Sequence, residues 1–495
     1  MVTEESFDLV CIGSGPAGQR AAVQAAKLGN KVAIVEKQEY LGGYCVESGT
    51  IPSKTFREAV RRAHGGGLDP SPRAALRGSG HHRPTMSQLV GHVGRVIERE
   101  IGTVHDALRR NDIETICGRA RFVGPKQIRV ESRYGNRRLS ARKVLVAVGT
   151  RPSKPRGVEH DGKTVITSDE ILSLEKLPRT MAVVGAGVIG VEYASMFAAL
   201  GVSVTVIDQR ARPLEFVDYE IIDELIHQMR RHDVTFRCGD AVSKIEIVNT
   251  PERQGLIQLE SGKYLVADVI LFSAGRVGAT QDLDLAACGL EADDRGRLTV
   301  DATYRTAADG IYAAGDVIGF PALAATSSEQ GRIAACNMFG AACEPMADHF
   351  PVGIYSIPEL SMVGATEEEL TTQKIPYEVG MARYREISRG HIGGDDSGMF
   401  KMLFHRDDER LLGCHCIGSG ATELIHIGQA VLALGGGLDY FLKTVFNFPT
   451  MAECYKVAAY RAANKLQVIR QATGRQEGTA EPEPSPVAKV AILAS

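Results

Sequence analysis

Two short stretches carry residues whose types and spacing suit the binding of dinucleotides. The first, "GSGPAG", places glycines at 13, 15 and 18, and Glu36 stands 23 residues after Gly13. The second, "GAGVIG", places glycines at 185, 187 and 190, and Asp208 stands 23 residues after Gly185. Gly13 and Gly185 permit a tight turn, and Gly15 and Gly187 let the backbone approach a pyrophosphate. Gly18 and Gly190 let the following helix lie close on its strand. The helix N-terminus then offers amide donors and the positive end of its dipole to phosphate oxygens. Glu36 and Asp208 are placed to accept hydrogen bonds from ribose hydroxyls. One glycine motif is weak evidence. Two with the same internal spacing predict a paired dinucleotide-binding architecture.

The elements that must hold these residues can be read around them. Residues 7–37 and 180–210 each read as an apolar strand, a glycine turn, an Ala-rich helix and a second strand ending in the acid. "KVLVAVGTRP" (143–152) reads as a buried strand that ends in a turn at Gly149. "DGIYAAGDVIGFPALAATSSEQGR" (309–332) reads as strand, turn and helix, with Asp316 at the strand's end. Residues 351–470 mix strands and helices without a phosphate loop, and residues 471–495 have the composition of a disordered tail. The expected fold is α/β: two Rossmann-like domains followed by an α+β unit.

A length of 495 residues exceeds what one core serves, so two to four domains are expected. Charged residues make up 24% of the chain and the formal net charge is -3, which gives no electrostatic reason to propose nucleic acid as a partner. Apolar runs are too short and too interrupted for a bilayer, and "MVTEESFDLV" lacks the regions of a secretory signal. A cytoplasmic setting is expected. The ten cysteines are scattered, as suits buried small side chains in a reducing compartment. "CHC" at 414–416 has no companion pair with zinc spacing, so no metal is expected. "HH" at 81–82 lies in an insertion-like stretch, 64–86, rich in Gly, Pro and Arg.

Taken in order, "GSGPAG", the "C…IPSK" loop, "VLVAVGTRP", "GAGVIGVE", "YAAGDV" and "FPTMAE" resemble the flavoprotein pyridine nucleotide–disulfide oxidoreductase family over residues 5–470. The resemblance implies FAD on Gly13, Gly15, Gly18, Glu36 and Asp316, with Lys54, Gly149 and Gly275 also at the cofactors. It implies NAD(P) on Gly185, Gly187, Gly190 and Asp208. The implied domains are a discontinuous FAD-binding domain (1–160 and 285–350), an NAD(P)-binding domain (161–284) and a dimerisation domain (351–470). A homodimer or higher homo-oligomer follows.

The sequence departs from disulfide-reducing members at two places. In "GGYCVESGTIPSK", Thr50 stands where the loop's second cysteine is expected, opposite Cys45. In "NFPTMAE", Phe448 stands where an interface histidine is expected. A dithiol relay needs two sulfurs and a base, and neither a hydroxyl nor a phenyl ring supplies them. The branch whose wording resembles this chain is the soluble pyridine nucleotide transhydrogenases, which implies hydride transfer between NADPH and NAD+ through FAD. An NAD(P)H:quinone or oxygen diaphorase is the alternative enzyme, and a low-turnover flavoprotein redox sensor the alternative of another class.

The resemblance assigns catalysis to Lys54, Glu192 and Thr50, with Lys54 beneath the flavin near N5 and Glu192 as its partner. In "VIDQRARP", Asp208 suits the free 2′-hydroxyl of NAD(H) and repels a 2′-phosphate. Arg210 and Arg212 could take that phosphate as guanidinium forks, or they could be surface arginines.

Overall fold

The computed structural model describes residues 4–63, 84–154, 158, 160–249 and 252–473. The "HH" pair, residues 64–83 of the insertion-like stretch, and the tail from 474 lie outside the described residues. The chain divides into two compact units, one of residues 1–59, 85–177 and 272–347, the other of 60–84, 178–271 and 348–495.

In the first unit, Glu4–Ile12 lies between Val32–Glu36 and Arg137–Val146, parallel to both, and Glu114–Cys117 extends the sheet beside Val32–Glu36. Ile311–Ala313 runs parallel to the end of Arg137–Val146. Gln127–Glu131 and Arg119–Gly124 continue the sheet in antiparallel fashion from the start of that long strand. The central strands are buried on both faces, as their unbroken apolar runs require. Helix Pro16–Lys27 packs its Ala17, Ala21, Ala22 and Ala25 against this sheet and against helix Ala324–Phe339. Those small side chains allow the two helices to approach closely.

In the second unit, Val234–Cys238, Ser203–Asp208, Thr180–Val184 and Val269–Phe272 lie side by side in that order. The first three are parallel. Helix Val188–Ala199 is buried almost all round. An antiparallel ribbon of Val242–Asn249, Arg253–Leu259 and Tyr264–Ala267 follows. The C-terminal part is a five-stranded antiparallel sheet ordered Val352–Ile354, Leu360–Gly364, Leu411–Ile417, Met399–His405, Tyr377–Arg383. Helices Ala421–Ala433 and Glu453–Thr473 cover it, and Tyr384, Phe400, Phe404, Phe441 and Tyr455 fill the space between. The Tyr455 hydroxyl accepts from the Gly428 amide and donates to the Leu424 carbonyl, both at 2.8 Å, so its one polar atom is satisfied inside the core. Among the described residues, no helix is long and apolar enough to cross a membrane.

Candidate active site

The two glycine turns have the same construction. The Gly13 amide donates to the Val35 carbonyl and the Gly185 amide to the Ile207 carbonyl, each at 2.8 Å. Their φ values, 106° and 107°, are open to glycine and strained for other residues. A Cβ at Gly18 would collide with the Gly13 carbonyl oxygen, so that glycine is dictated by helix-on-turn packing.

Gly15 and Gly187 are different. Their φ values of -67° and -79° suit any residue, and a Cβ on either would meet nothing within 4 Å. Neither strain nor packing explains a glycine at these two positions. Both are the N-cap of a helix and, being glycines, give its first amides no capping side chain. Two open glycines at two uncapped helix starts fit phosphate-bearing ligands.

The acids close each turn. Glu36 is buried; its Oε2 accepts from the Ser14 amide at 3.0 Å and the Ser14 hydroxyl at 2.7 Å, and its Oε1 accepts from the Gln38 amide at 3.1 Å. Ser14 Oγ in turn accepts from the Gly42 amide at 2.9 Å, tying the loop that leads to Cys45 onto the turn. A cavity of about 460 Å³ opens beside Glu36, lined also by Gln38, Tyr40, Leu41, Ile101 and Ile116. In the second unit, Asp208 Oδ2 accepts from the Ala186 amide at 2.6 Å. Arg210 grips the same carboxylate through Nε (2.9 Å) and Nη2 (2.7 Å), and its own amide donates to Oδ1 at 2.8 Å. Burial opposes ionisation of Asp208, but the Arg210 and Ala186 hydrogen bonds outweigh it and hold its pKa below the usual carboxylate range. Arg212 pairs with Asp223 and lies 4.6 Å over the Tyr219 ring.

Around the loop, Cys45 lies in the short helix Gly43–Glu47 and Thr50 opens helix Thr50–Ala63, which carries Lys54. Burial pushes the Cys45 thiol up, opposed by a side-chain hydrogen bond from Thr50 and by the nearby Lys54 charge. Thr50 therefore faces Cys45 with an oxygen, and the thiol stays protonated near neutral pH. Substituting Cys45→Ser should leave hydride-transfer turnover within about twofold, because a protonated thiol with no sulfur partner is not a nucleophile. A tenfold loss in a steady-state assay would contradict this.

Asp316 opens a short turn after Ile311–Ala313, and its carboxylate accepts from the Thr150 and Ser327 hydroxyls, both at 3.4 Å. Arg276, next to Gly275 in sequence, donates to the Thr150 hydroxyl (2.8 Å) and carbonyl (2.9 Å) and to the Tyr44 hydroxyl (2.9 Å), with its guanidinium 3.9 Å over the Tyr44 ring. Gly149 and Gly275 have φ of 65° and 127°, and each immediately precedes one strand of the antiparallel pair Thr150–Pro152 and Arg276–Gly278. Thus the first unit brings together Gly13, Gly15, Glu36, Cys45, Thr50, Lys54, Gly149, Gly275 and Asp316. Ser14, Tyr44 and Arg276 join them without having been singled out from sequence. The available signal was adjacency: Ser14 lies inside the turn, Tyr44 beside Cys45, Arg276 beside Gly275.

In the second unit, Glu192 is buried on helix Val188–Ala199, and its Oε1 accepts from the Tyr355 amide at 2.8 Å. Ser195 Oγ on the same helix accepts from the Ile357 amide at 2.9 Å. The "CHC" strand is buried: Cys416 lies 3.2 Å from the Tyr384 hydroxyl, and among the described residues no cluster of three metal-ligating side chains forms.

The arrangement of two glycine turns with a cysteine loop between them recurs in known proteins. Residues 7–331 match the family model described as pyridine nucleotide-disulphide oxidoreductase, and residues 350–459 match its dimerisation domain. The chain belongs to the pyridine nucleotide–disulphide oxidoreductase family. Members combine a flavin with a nicotinamide cofactor, and the open glycines and buried acids described above fit such ligands. Among relatives in the family, a soluble pyridine nucleotide transhydrogenase of Mycobacterium bovis is 49% identical over 94% of this chain and 99% of its own length. One of Marinomonas sp. is 42% identical over 94% of this chain and 100% of its own. Among solved structures, the HOCl-induced flavoprotein disulfide reductase RclA of Escherichia coli, as a Cu(II) complex, superposes with a TM-score of 0.83 at 26% identity. It covers 92% of this chain and 99% of that one. LpdA of Mycobacterium tuberculosis gives 0.83 at 25%, covering 93% and 99%.

Proposed function

We propose that this oxidoreductase is a soluble pyridine nucleotide transhydrogenase that moves hydride from NADPH to NAD+ through FAD. The observation that carries the reading is Cys45 facing the Thr50 hydroxyl while both dinucleotide turns are complete. With one sulfur the loop cannot close a disulfide, so electrons that enter from a nicotinamide leave to a second nicotinamide or to a small acceptor such as a quinone or oxygen. The names of relatives 41–49% identical over nearly their whole length support the same reading.

Each residue then has a task. Gly13, Gly15 and Gly18 seat the flavin's pyrophosphate and Glu36 its adenosine ribose, with the neighbouring cavity for the base. Asp316 receives the other end of the FAD chain, and Gly149 and Gly275 keep the backbone close to it. FAD, when bound, supplies a two-electron carrier that accepts and returns hydride. Lys54 would offer an ammonium to the reduced flavin ring, and Glu192 is held in place by the Tyr355 amide. Burial keeps the Cys45 thiol protonated, and Thr50 offers it a hydroxyl where a disulfide partner would stand. Gly185, Gly187 and Gly190 seat the nicotinamide coenzyme's pyrophosphate, Asp208 takes the ribose of NAD(H), and Arg210 and Arg212 take the 2′-phosphate of NADP(H). One site for both coenzymes gives ping-pong kinetics.

A homodimer assembled through the C-terminal sheet completes the enzyme, whose setting is the cytoplasm. Val445 and Phe448, 93% and 72% exposed on the single chain, form apolar surface suited to a second copy.

The test is anaerobic reduction of thio-NAD by NADPH with purified holoenzyme, run beside menadione and a lipoyl or glutathione disulfide. Parallel double-reciprocal lines for thio-NAD, with no disulfide turnover, are expected. Fast menadione reduction without thio-NAD reduction would make the protein a diaphorase instead.

A further inference from the structure

The two acids that end the second strands of the two turns are built alike but partnered differently. Glu36 is followed two residues later by Gln38, whose side-chain amide turns away to Glu47 Oε1 at 3.1 Å. A carboxylate oxygen accepts about two hydrogen bonds. Glu36 Oε2 has two, from Ser14, while Oε1 has one, from the Gln38 amide. Among the described residues no donor takes its second acceptor position, which leaves that position for a ribose hydroxyl. Asp208 is followed at the same distance by Arg210, and each of its oxygens already has two donors: the Arg210 amide and Nε on Oδ1, the Ala186 amide and Arg210 Nη2 on Oδ2. Its acceptor positions are full.

We propose that Arg210 is a clasp that works in opposite senses on the two coenzymes: it competes with the ribose hydroxyl of NAD(H) for Asp208, and it ligates the 2′-phosphate of NADP(H). The inference rests on the reading of the Asp208 turn as the nicotinamide-coenzyme site. For NAD(H) to hydrogen-bond Asp208, the guanidinium must first withdraw. For NADP(H), a phosphate dianion arrives beside an ionised carboxylate, and Arg210 turns from the carboxylate to the phosphate, its single positive charge offsetting part of the repulsion between them. The Arg210 side chain is 38% exposed, so its guanidinium can turn outward without unpacking the core. Arg212 is placed differently. Asp223 and the Tyr219 ring hold it away from Asp208, so it can add charge for the phosphate without opposing NAD(H). The same bidentate grip that lets NADP(H) bind next to an aspartate also keeps NAD(H) from binding too tightly to leave. An enzyme that must release each coenzyme before taking the other gains turnover from that balance.

The experiment is direct binding of NAD+ and of NADP+ to the oxidised holoenzyme by calorimetry, for wild type, Arg210→Gln, Arg210→Lys and Asp208→Asn. Removing a charge-assisted bidentate contact should weaken NADP+ by roughly 10- to 100-fold in Arg210→Gln. The same variant should bind NAD+ about 3- to 10-fold more tightly, because Asp208 is released. Arg210→Lys, with charge but no fork, should fall between wild type and Arg210→Gln for both ligands. Arg210→Gln weakening NADP+ while leaving NAD+ unchanged would overturn the clasp, and so would an equal loss of both. If wild type binds NAD+ and Asp208→Asn leaves that binding unchanged, the site reading itself fails and the clasp with it. The thermal midpoint of each variant separates these outcomes from loss of fold.

Discussion

Lys401→Met is expected to lower the unfolding free energy by about 3–5 kcal/mol, the range for removing one partner of a buried ion pair. Lys401 sits on the strand Met399–His405 with a side chain 1% exposed, and its ammonium is shared by three carboxylates. Asp218, wholly buried, lies 3.0 Å away, Glu220 2.8 Å away, and Glu367 completes the set. Asp218 also accepts from the Glu220 amide at the start of helix Tyr219–Arg231. Methionine would fill the volume and leave that carboxylate buried without its cation. The double variant Lys401→Met with Asp218→Asn should recover part of the loss, since the buried charge goes with its partner. Urea midpoints of the two single variants and the double would show it; purely additive losses would mean the pair is uncoupled.

The same cluster sets a pH window. Burial lowers the pKa of Lys401, but Asp218, Glu220 and Glu367 outweigh it and raise it above the usual value. This contribution is present below about pH 10.4 and lost as pH rises through the folded-state value. Asp218 is held below the usual carboxylate range, its burial outweighed by its charged neighbours and hydrogen bonds, so its contribution is lost only as pH falls from about 3.9. His415 is wholly buried, with Nε2–H on the Ala365 carbonyl at 2.9 Å, and burial depresses its pKa despite Asp218. Its contribution is present above about pH 6.5 and lost as pH falls toward the folded-state value. Stability from these groups should therefore be flat from about pH 6.5 to 10.4. The first acid-side loss should disappear in His415→Gln, as urea midpoints at pH 5 and 7.5 would reveal.

The second large effect is expected at Gly18. A side chain there drives into the Gly13 carbonyl oxygen, which is backbone and cannot swing aside. Gly18→Val should raise the flavin Kd by roughly fivefold to a hundredfold, since overpacking costs about 1–3 kcal/mol and each 1.4 kcal/mol is tenfold. It should also lower the thermal midpoint. Gly15→Ala makes the informative contrast, because its Cβ meets nothing within 4 Å of protein. Its thermal midpoint without flavin should stay at the wild-type value while flavin affinity falls. Visible flavin absorbance after dialysis, paired with the midpoint of each apoprotein, separates the two roles. Equal midpoints for both variants would show that Gly18 is not a packing glycine.

Much of this molecule is legible from one dimension, for reasons that differ between elements. Glycine turns, their strands and the acids 23 residues on are local patterns: strand period, turn conformation and helix start all act within about 30 residues. The helices Ala421–Ala433 and Glu453–Thr473 and the strands Met399–His405 and Leu411–Ile417 likewise bear out a mixed strand-and-helix region after residue 350. Ser14 was harder to see, because its hydroxyl matters only once Gly42 is brought to it. Arg276 was harder still. Its partners Tyr44 and Thr150 are 232 and 126 residues away in sequence, and no spacing rule reaches that far.

The sequence by itself determined the family, the two dinucleotide turns and the loss of the second sulfur at Thr50, because each is a matter of which atoms are present at a local spacing. Spacing suggested an open Gly15 and a packed Gly18, and only the tertiary structure supplied the atom that makes the difference, the Gly13 carbonyl oxygen lying where a Gly18 Cβ would stand. The tertiary structure alone decided that Arg210 lies on Asp208 while Arg212 is held by Asp223 and Tyr219. Charge is written in the sequence, but the counter-ion of each charge is chosen by folding, because a guanidinium reaches several carboxylates and packing fixes which one it meets.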